Sequence, residues 1–190
     1  MSFSGMVKEE LSKQISPARH CCMAELAALL CACGRLEENF DGKKLKVQTE
    51  NEAVVRKCFT LLQKTFNIRT EMYIRESSHL KRLKVYVLEL TEPEQIQEVL
   101  QGTKLTVDKN SGGTLTLDNL LVIQQNCCKR AFIRGAFLSS GSISDPEKGY
   151  HFEIVYPDEE RAVQLQTITR SFDIDAKIVQ RKKSYVVYVK

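Results

Sequence analysis

Seven cysteines and three histidines offer this 190-residue chain its most versatile chemistry. The thiols are Cys21, Cys22, Cys31, Cys33, Cys58, Cys127 and Cys128, and the imidazoles are His20, His79 and His151. A thiol beside an imidazole can act as a nucleophile, and four such groups together can hold zinc. Nothing along the chain places a given cysteine beside a given histidine. Cys31 and Cys33 stand two apart in a helical segment, where side chains point to different sides. Adjacent cysteines diverge as well, no Cys-x-x-Cys pair occurs, and the histidines are scattered. The thiols are therefore expected to serve as small buried hydrophobes in a reducing compartment, with no metal and no cofactor. Their odd number argues against a complete disulfide framework. Asn110-Ser-Gly-Gly-Thr114 is not a phosphate loop, because it lacks a Gly-Lys-Ser/Thr ending and does not bridge a strand to a helix.

The elements that position these residues come from an ordinary globular composition. The chain is 43% hydrophobic and 27% charged, with a net charge of +4. Such a charge permits nucleic-acid binding without demanding it. The longest apolar run, Leu26 to Gly34, falls well short of the ~20 residues of a membrane span, and the N-terminus is charged where a signal peptide would be apolar. No membrane partner is expected, and the expected location is cytoplasmic.

The chain repeats itself. Cys21-Cys22 recurs as Cys127-Cys128, Phe66-Asn67-Ile68 as Phe172-Asp173-Ile174, and Arg75 as Arg181, all at one offset. Gly34 recurs as Gly141 one residue late. In each copy an apolar helix (about 21–33 and 127–140) ends at that glycine. A strand follows (44–49 and 150–156), then a helix (52–66 and 158–172), then two strands (69–75 with 83–90, and 176–182 with 185–189). Copy one adds a helix over 93–101. Copy two reaches Lys190 without it, so the natural protein is expected to continue. The organisation reads as an N-terminal helix (1–19), repeat 1 (20–101), a connector (102–126) and a truncated repeat 2 (127–190).

The most specific stretch is Phe132-Ile-Arg-Gly-Ala-Phe-Leu-Ser-Ser-Gly-Ser-Ile143. It resembles the LAGLIDADG motif of homing endonucleases, and Glu25-Leu-Ala-Ala-Leu-Leu-Cys-Ala-Cys-Gly-Arg-Leu36 fits the same frame. The resemblance implies an α+β fold of two αββαββ-type repeats with antiparallel saddle sheets and two central helices packed side by side. Ala28 and Gly135 take the tight position between those helices, with Gly34 and Gly141 at their ends. The motif's metal-holding acids are missing: Cys33 and Ser140 stand where they belong, so no catalytic residue and no nuclease activity are expected. Asp145 and Glu37 are the nearest carboxylates. The wider match, through Val7-Lys-Glu-Glu-Leu11, Thr49-Glu-Asn51 and Gly141-Ser-Ile-Ser-Asp-Pro-Glu-Lys-Gly-Tyr-His-Phe-Glu-Ile154, is similar to the WhiA family. That similarity implies a non-catalytic, nucleoid-associated regulator of transcription, cell division and chromosome segregation, and in some bacteria sporulation. Its DNA would be read mainly by a C-terminal helix-turn-helix domain absent from this chain, with other regulators as further partners.

The strands carry a candidate DNA face. Leu45, Val47, Phe152 and Ile154 mark the apolar side. Lys44, Lys46, Arg75, Lys84, Lys177 and Arg181 are assigned to the opposite side, with Tyr73 and Tyr86 among them. Cations of this kind grip phosphates without reading sequence, although Glu71 and Glu153 interrupt the patch. A residual nuclease and a pure protein-interaction domain are the competing readings.

Overall fold

The computed structural model describes residues 2–76 and 83–190, so His79 lies outside the described residues. Helix α1 (Phe3–Lys13) starts on Ser2, whose hydroxyl accepts from the Gly5 amide at 3.1 Å. Helix α2 (Arg19–Cys33) follows and runs through the centre of the molecule. Leu26, Ala27, Ala28, Leu29 and Leu30 are all fully buried. A helix that is apolar all round can be stable only where protein covers every side of it.

Strands β1 (Gly34–Asn39) and β2 (Gly42–Thr49) form a hairpin, and α3 (Glu52–Phe66) packs over it. Asn51 caps α3 by accepting from the Ala53 amide, and Asn67 ends it in the left-handed conformation that Asn tolerates better than most residues. β3 (Glu71–Glu76), β4 (Lys84–Leu90) and α4 (Pro93–Thr103) complete the first half. The connector then supplies β5 (Thr106–Asp108) and β6 (Thr114–Thr116), and Thr114 pairs with Arg35 of β1. The first sheet is thus six-stranded, in the order β3-β4-β2-β1-β6-β5.

The second half repeats the order. α5 (Asn126–Ser140), β7 (Gly141–Ile143), β8 (Phe152–Tyr156), α6 (Glu159–Arg170), β9 (Lys177–Arg181) and β10 (Ser184–Val189) build a four-stranded sheet, β7-β8-β10-β9. Asp158 caps α6. Asp173 adopts the left-handed conformation, as its counterpart Asn67 does. Every strand pairing described is antiparallel.

Gly34 and Gly141 end α2 and α5 as the sequence suggests, but not in the usual glycine manner. Their backbones are extended, not left-handed, and each opens a strand. Neither packs helix against helix. A Cβ on Gly34 would lie 2.6 Å from the Leu30 carbonyl oxygen and 3.1 Å from Leu115 Cδ1, and one on Gly141 2.3 Å from Phe137 Cδ2. The side chain is forbidden because the chain turns back on the last helical turn. Gly135 is different: its Cβ would stand 2.6 Å from the Glu25 carbonyl oxygen and 2.9 Å from Ala28 Cβ. No side chain fits between α2 and α5 at this point.

At the same level sits a buried charge. Glu25 on α2 is fully buried. Its Oε1 lies 3.0 Å from Lys57 Nζ of α3 and accepts from Arg134 Nε of α5 at 3.0 Å. Its Oε2 accepts from Arg134 Nη2 at 2.7 Å. Lys57 also donates to the carbonyls of Leu11 and Gln14, at the end of α1. Burial pushes the Lys57 ammonium below its ordinary value, against the pull of Glu25. Bonding to the same carboxylate pushes Arg134 up. Removing the carboxylate would strand two cations, one of them fully buried. Glu25→Ala is expected to cost about 3–5 kcal/mol in urea unfolding. Pairing Glu25→Leu with Lys57→Met should cost less than the two single changes added together.

Candidate functional site

The C-terminal ends of α2 and α5 are where the motif would hold its metal. Cys33 closes α2, and burial pushes its thiol up to about 11, with Thr49 and Lys8 pulling the other way. Ser140 closes α5, and its hydroxyl turns back to the Ala136 carbonyl at 3.5 Å. Lys8 of α1 reaches into this region, with Nζ 5.7 Å from the centre of the Phe137 ring. Burial lowers its pKa, and its charge acts on Cys33. Helix α1 is tied here as well, because Ser4 Oγ accepts from the Ile143 amide at 3.3 Å.

The two carboxylates nearest in sequence are otherwise engaged. Glu37 Oε2 lies 2.7 Å from Lys46 Nζ. Asp145 accepts from the Glu147 amide at 3.1 Å and caps a short turn. Hard divalent ions need several oxygen anions converging on one point. Cys33 does share a cavity with Glu37 and Asp158, but Lys46 holds the first and Arg161 the second, and the motif positions themselves present a thiol and a hydroxyl.

The strand registers decide which cations share the face turned away from the helices, since paired residues lie on one side and neighbours alternate. Leu45 pairs with Leu90 and Val47 with Leu88, all buried, and these mark the inner face. Lys46 pairs with Glu89 and Glu89 with Glu71, and further along β3 come Tyr73 and Arg75 on that same outer side. Lys44 alternates with Leu45 and joins them. In the second half Arg181 pairs with Ser184, Lys177 with Tyr188, and Tyr188 with Glu153. Lys44, Lys46, Arg75, Lys177 and Arg181 are therefore outward.

Lys84 and Tyr86 are not. Lys84 pairs with Glu76 and Tyr86 with Ile74, which puts both on the inner side, and the Tyr86 hydroxyl donates to Glu52 Oε2 at the start of α3. The assignment of Lys84 to the basic face is corrected by this register. β4 has apolar residues on both sides, so its sequence lacks the alternation that would show which way Lys84 points.

The outward cations differ in freedom. Lys46 has a side chain only 11% exposed and lies between Glu37 at 2.7 Å and Glu89 at 3.4 Å. Those partners push its pKa up, the Glu37 bond most of all. Arg181 Nη1 contacts Glu153 Oε2 at 3.1 Å, and the same oxygen takes His151 Nε2 at 3.0 Å. Arg75 lies over the Tyr73 ring and donates to its hydroxyl at 3.1 Å. Lys177 reaches Asp175 at 3.4 Å, with both side chains largely in solvent, so this pair constrains it little.

Sequence reasoning also missed a grouping at the opposite ends of the helix pair. His20 and Cys21 on α2 meet Cys127 and Cys128 on α5. Adjacent cysteines do diverge on one helix: Cys22 Sγ turns away to the Ser16 carbonyl. Two helices meeting at their first turns nevertheless bring the remaining groups together. Spacing along one copy cannot show this.

Glu89 links structure to pH. Its pKa is held below the ordinary carboxylate range, first by the Tyr73 hydroxyl at 2.5 Å and then by Lys46, against desolvation. With a depressed folded value, its stabilising contribution is complete above the ordinary range and is lost as pH falls through the folded value. Tyr73→Phe is expected to cost about 1–2 kcal/mol at neutral pH. In denaturant titrations the gap from the parent should shrink as the carboxylate protonates.

Comparison with known proteins agrees with this architecture. Residues 129–190 match the family model described as the WhiA LAGLIDADG-like domain, and residues 19–106 match the one described as the WhiA N-terminal LAGLIDADG-like domain. The chain is 54% identical over 191 residues to the probable cell division protein WhiA of Lachnoclostridium phytofermentans, covering 100% of this chain and 61% of that protein. It is 40% identical over 193 residues to that of Alkaliphilus oremlandii, covering 100% of this chain and 60% of the relative. The chain thus spans about three fifths of the length of these relatives. Among solved structures, the N-terminal LAGLIDADG domain of DUF199/WhiA is similar, with a TM-score of 0.71 at 21% identity, over 100% of this chain and 84% of that one. The homing endonuclease I-DmoI, in complex with DNA and Mn, gives a TM-score of 0.63 at 11% identity over 91% of each chain, a likeness of fold alone.

Proposed function

The chain belongs to the WhiA family, and we propose that it is the LAGLIDADG-like part of a cell-division regulator that contacts DNA without cutting it. The observation that carries the reading is the pair Cys33 and Ser140 at the ends of α2 and α5, with the Lys8 ammonium beside Cys33. A thiol and a hydroxyl do not hold Mg²⁺ or Mn²⁺ as paired carboxylates do. The Lys8 charge that acts on Cys33 also repels a dication. Support for DNA contact comes from the fold shared with a nuclease solved on DNA and from the outward Lys44, Arg75, Lys177 and Arg181.

Contact through this face is electrostatic, weak and indifferent to sequence. Carboxylates already neutralise part of it, as the Glu37–Lys46–Glu89 and Glu153–Arg181 pairs do. Specific reading would then fall to a helix-turn-helix domain of the whole protein. The wider role is regulation of transcription, cell division and chromosome segregation, and of sporulation in some bacteria, in the cytoplasm at the nucleoid.

Duplex binding by the chain, followed by fluorescence anisotropy across a salt series, tests this. If Lys44, Arg75, Lys177 and Arg181 all reach phosphates, log K should fall against log salt with a slope of about −3 to −4. Arg75→Glu and Arg181→Glu should weaken binding for any sequence, and Glu153→Gln, which releases Arg181, should strengthen it. No binding at low salt would leave a protein-interaction domain as the reading. Cleavage in Mg²⁺ or Mn²⁺ that is lost in Glu37→Gln or Asp145→Asn would make the chain a nuclease.

A further inference from the structure

We propose that His20, Cys21, Cys127 and Cys128 form a zinc site that staples the two repeats together at the N-terminal ends of α2 and α5. The donor atoms of these four residues all lie within 4.8 Å of one another. From His20 Nδ1, the Cys128 sulfur is 3.1 Å away, the Cys21 sulfur 3.5 Å and the Cys127 sulfur 4.0 Å. A tetrahedral zinc with Zn–S of ~2.3 Å and Zn–N of ~2.05 Å requires nitrogen-to-sulfur edges of about 3.6 Å. The three distances bracket that value, so small side-chain rotations bring all four donors onto one centre.

The chemistry of the set chooses among metals. Three sulfurs and one imidazole nitrogen form a soft, closed, four-donor shell of the Cys₃His kind. It offers no carboxylate, so magnesium and calcium have nothing to bind. It also leaves no open position, which makes the site structural and not catalytic.

The metal-bound form is the charged one. Burial pushes the Cys21 thiol up to about 11 and raises Cys128 as well, so a bound dication must displace their protons. Three thiolates on Zn²⁺ leave one net negative charge. Arg130 lines the same cavity as Cys21 and Cys127 and can offset it, whereas Arg134, also on that cavity, is held by Glu25. In the free thiol Cys127 Sγ donates to Gln125 Oε1 at 3.4 Å, a bond the thiolate would give up on zinc. Cys22 is excluded by direction, since its thiol is turned to the Ser16 carbonyl.

The ligands come from both halves, two from each. A bound ion would fix how the helix pair begins, as Glu25 and Gly135 fix its middle. Metal affinity would then add directly to the stability of the pairing.

The test uses zinc and cobalt themselves. The chain, purified without chelator under reducing conditions, should carry about one zinc per molecule by elemental analysis. The apo chain titrated with Co²⁺ should develop the intense visible bands of a tetrahedral site and a sulfur-to-cobalt charge-transfer band. Cys127→Ser and His20→Gln alter exposed positions and should each weaken cobalt binding by at least the roughly 10–100-fold that loss of an orienting neighbour costs. Cys22→Ala, outside the set, should bind as the parent does. A readout on the unaltered chain guards against misfolded variants: with zinc, Cys21, Cys127 and Cys128 should become unreactive to thiol reagents and recover with chelator. Sub-stoichiometric zinc, an octahedral cobalt spectrum, unchanged thiol reactivity or a Cys21–Cys127 disulfide persisting in reductant would each overturn the proposal.

Discussion

The packing of this molecule answers to one buried carboxylate. Glu25 lies at zero exposure between Lys57 and Arg134. A charge taken out of water is tolerable only when opposite charges and hydrogen bonds fill its shell. α3 can therefore pack on α2 only where Lys57 reaches Glu25, and α5 only where Arg134 does. An apolar residue at this point would allow the helices to slide. The carboxylate allows one register, and Gly135 allows the close approach that this register demands. Lys57 carries the constraint further, since its donors also hold the last carbonyls of α1. That leaves α1 running across the helix ends, with Lys8 beside Cys33.

The outer face of the sheets shows a different balance. It carries cations, as a DNA-facing surface should, yet it largely satisfies them internally. Glu89 takes the Tyr73 hydroxyl and Lys46 together, and Glu153 takes His151 and Arg181. Such pairs are worth little in water, but they must be broken or shared before a phosphate can bind. A surface built this way favours loose, salt-sensitive contact over tight grip.

Much of the fold was legible because repetition marks it. The Phe-Asn-Ile and Phe-Asp-Ile markers coincide with the left-handed residues Asn67 and Asp173 that turn the chain out of α3 and α6. The small-residue motif located the helix pair, and the loss of its acids was plain at Cys33 and Ser140. What stayed hidden has physical causes. β1 reads Gly-Arg-Leu-Glu-Glu-Asn, with too few apolar residues to alternate, and β7 is only three residues long. Their partners, not their own sequences, make them strands. β4 is apolar on both faces, which concealed the direction of Lys84 and Tyr86. Lys57 looks like a surface residue on an amphipathic helix, because its partner Glu25 is distant in sequence.

The cluster at the first turns of α2 and α5 shows the same limit most clearly. Helical geometry correctly says that Cys21 and Cys22 diverge, and correctly forbids a site made from one helix. A parallel helix pair changes the arithmetic, because each helix need contribute only two groups if their starts coincide. The nuclease-like motif sets those starts side by side for reasons of its own, through Gly135 and Ala28. The same close packing that brings the vacated acid positions to one end of the pair brings thiols and an imidazole to the other. In this chain the buried carboxylate, Glu25, stands at the middle of the pair, between Lys57 and Arg134. The groups fit to hold a soft cation stand at the other end of the pair from Cys33 and Ser140.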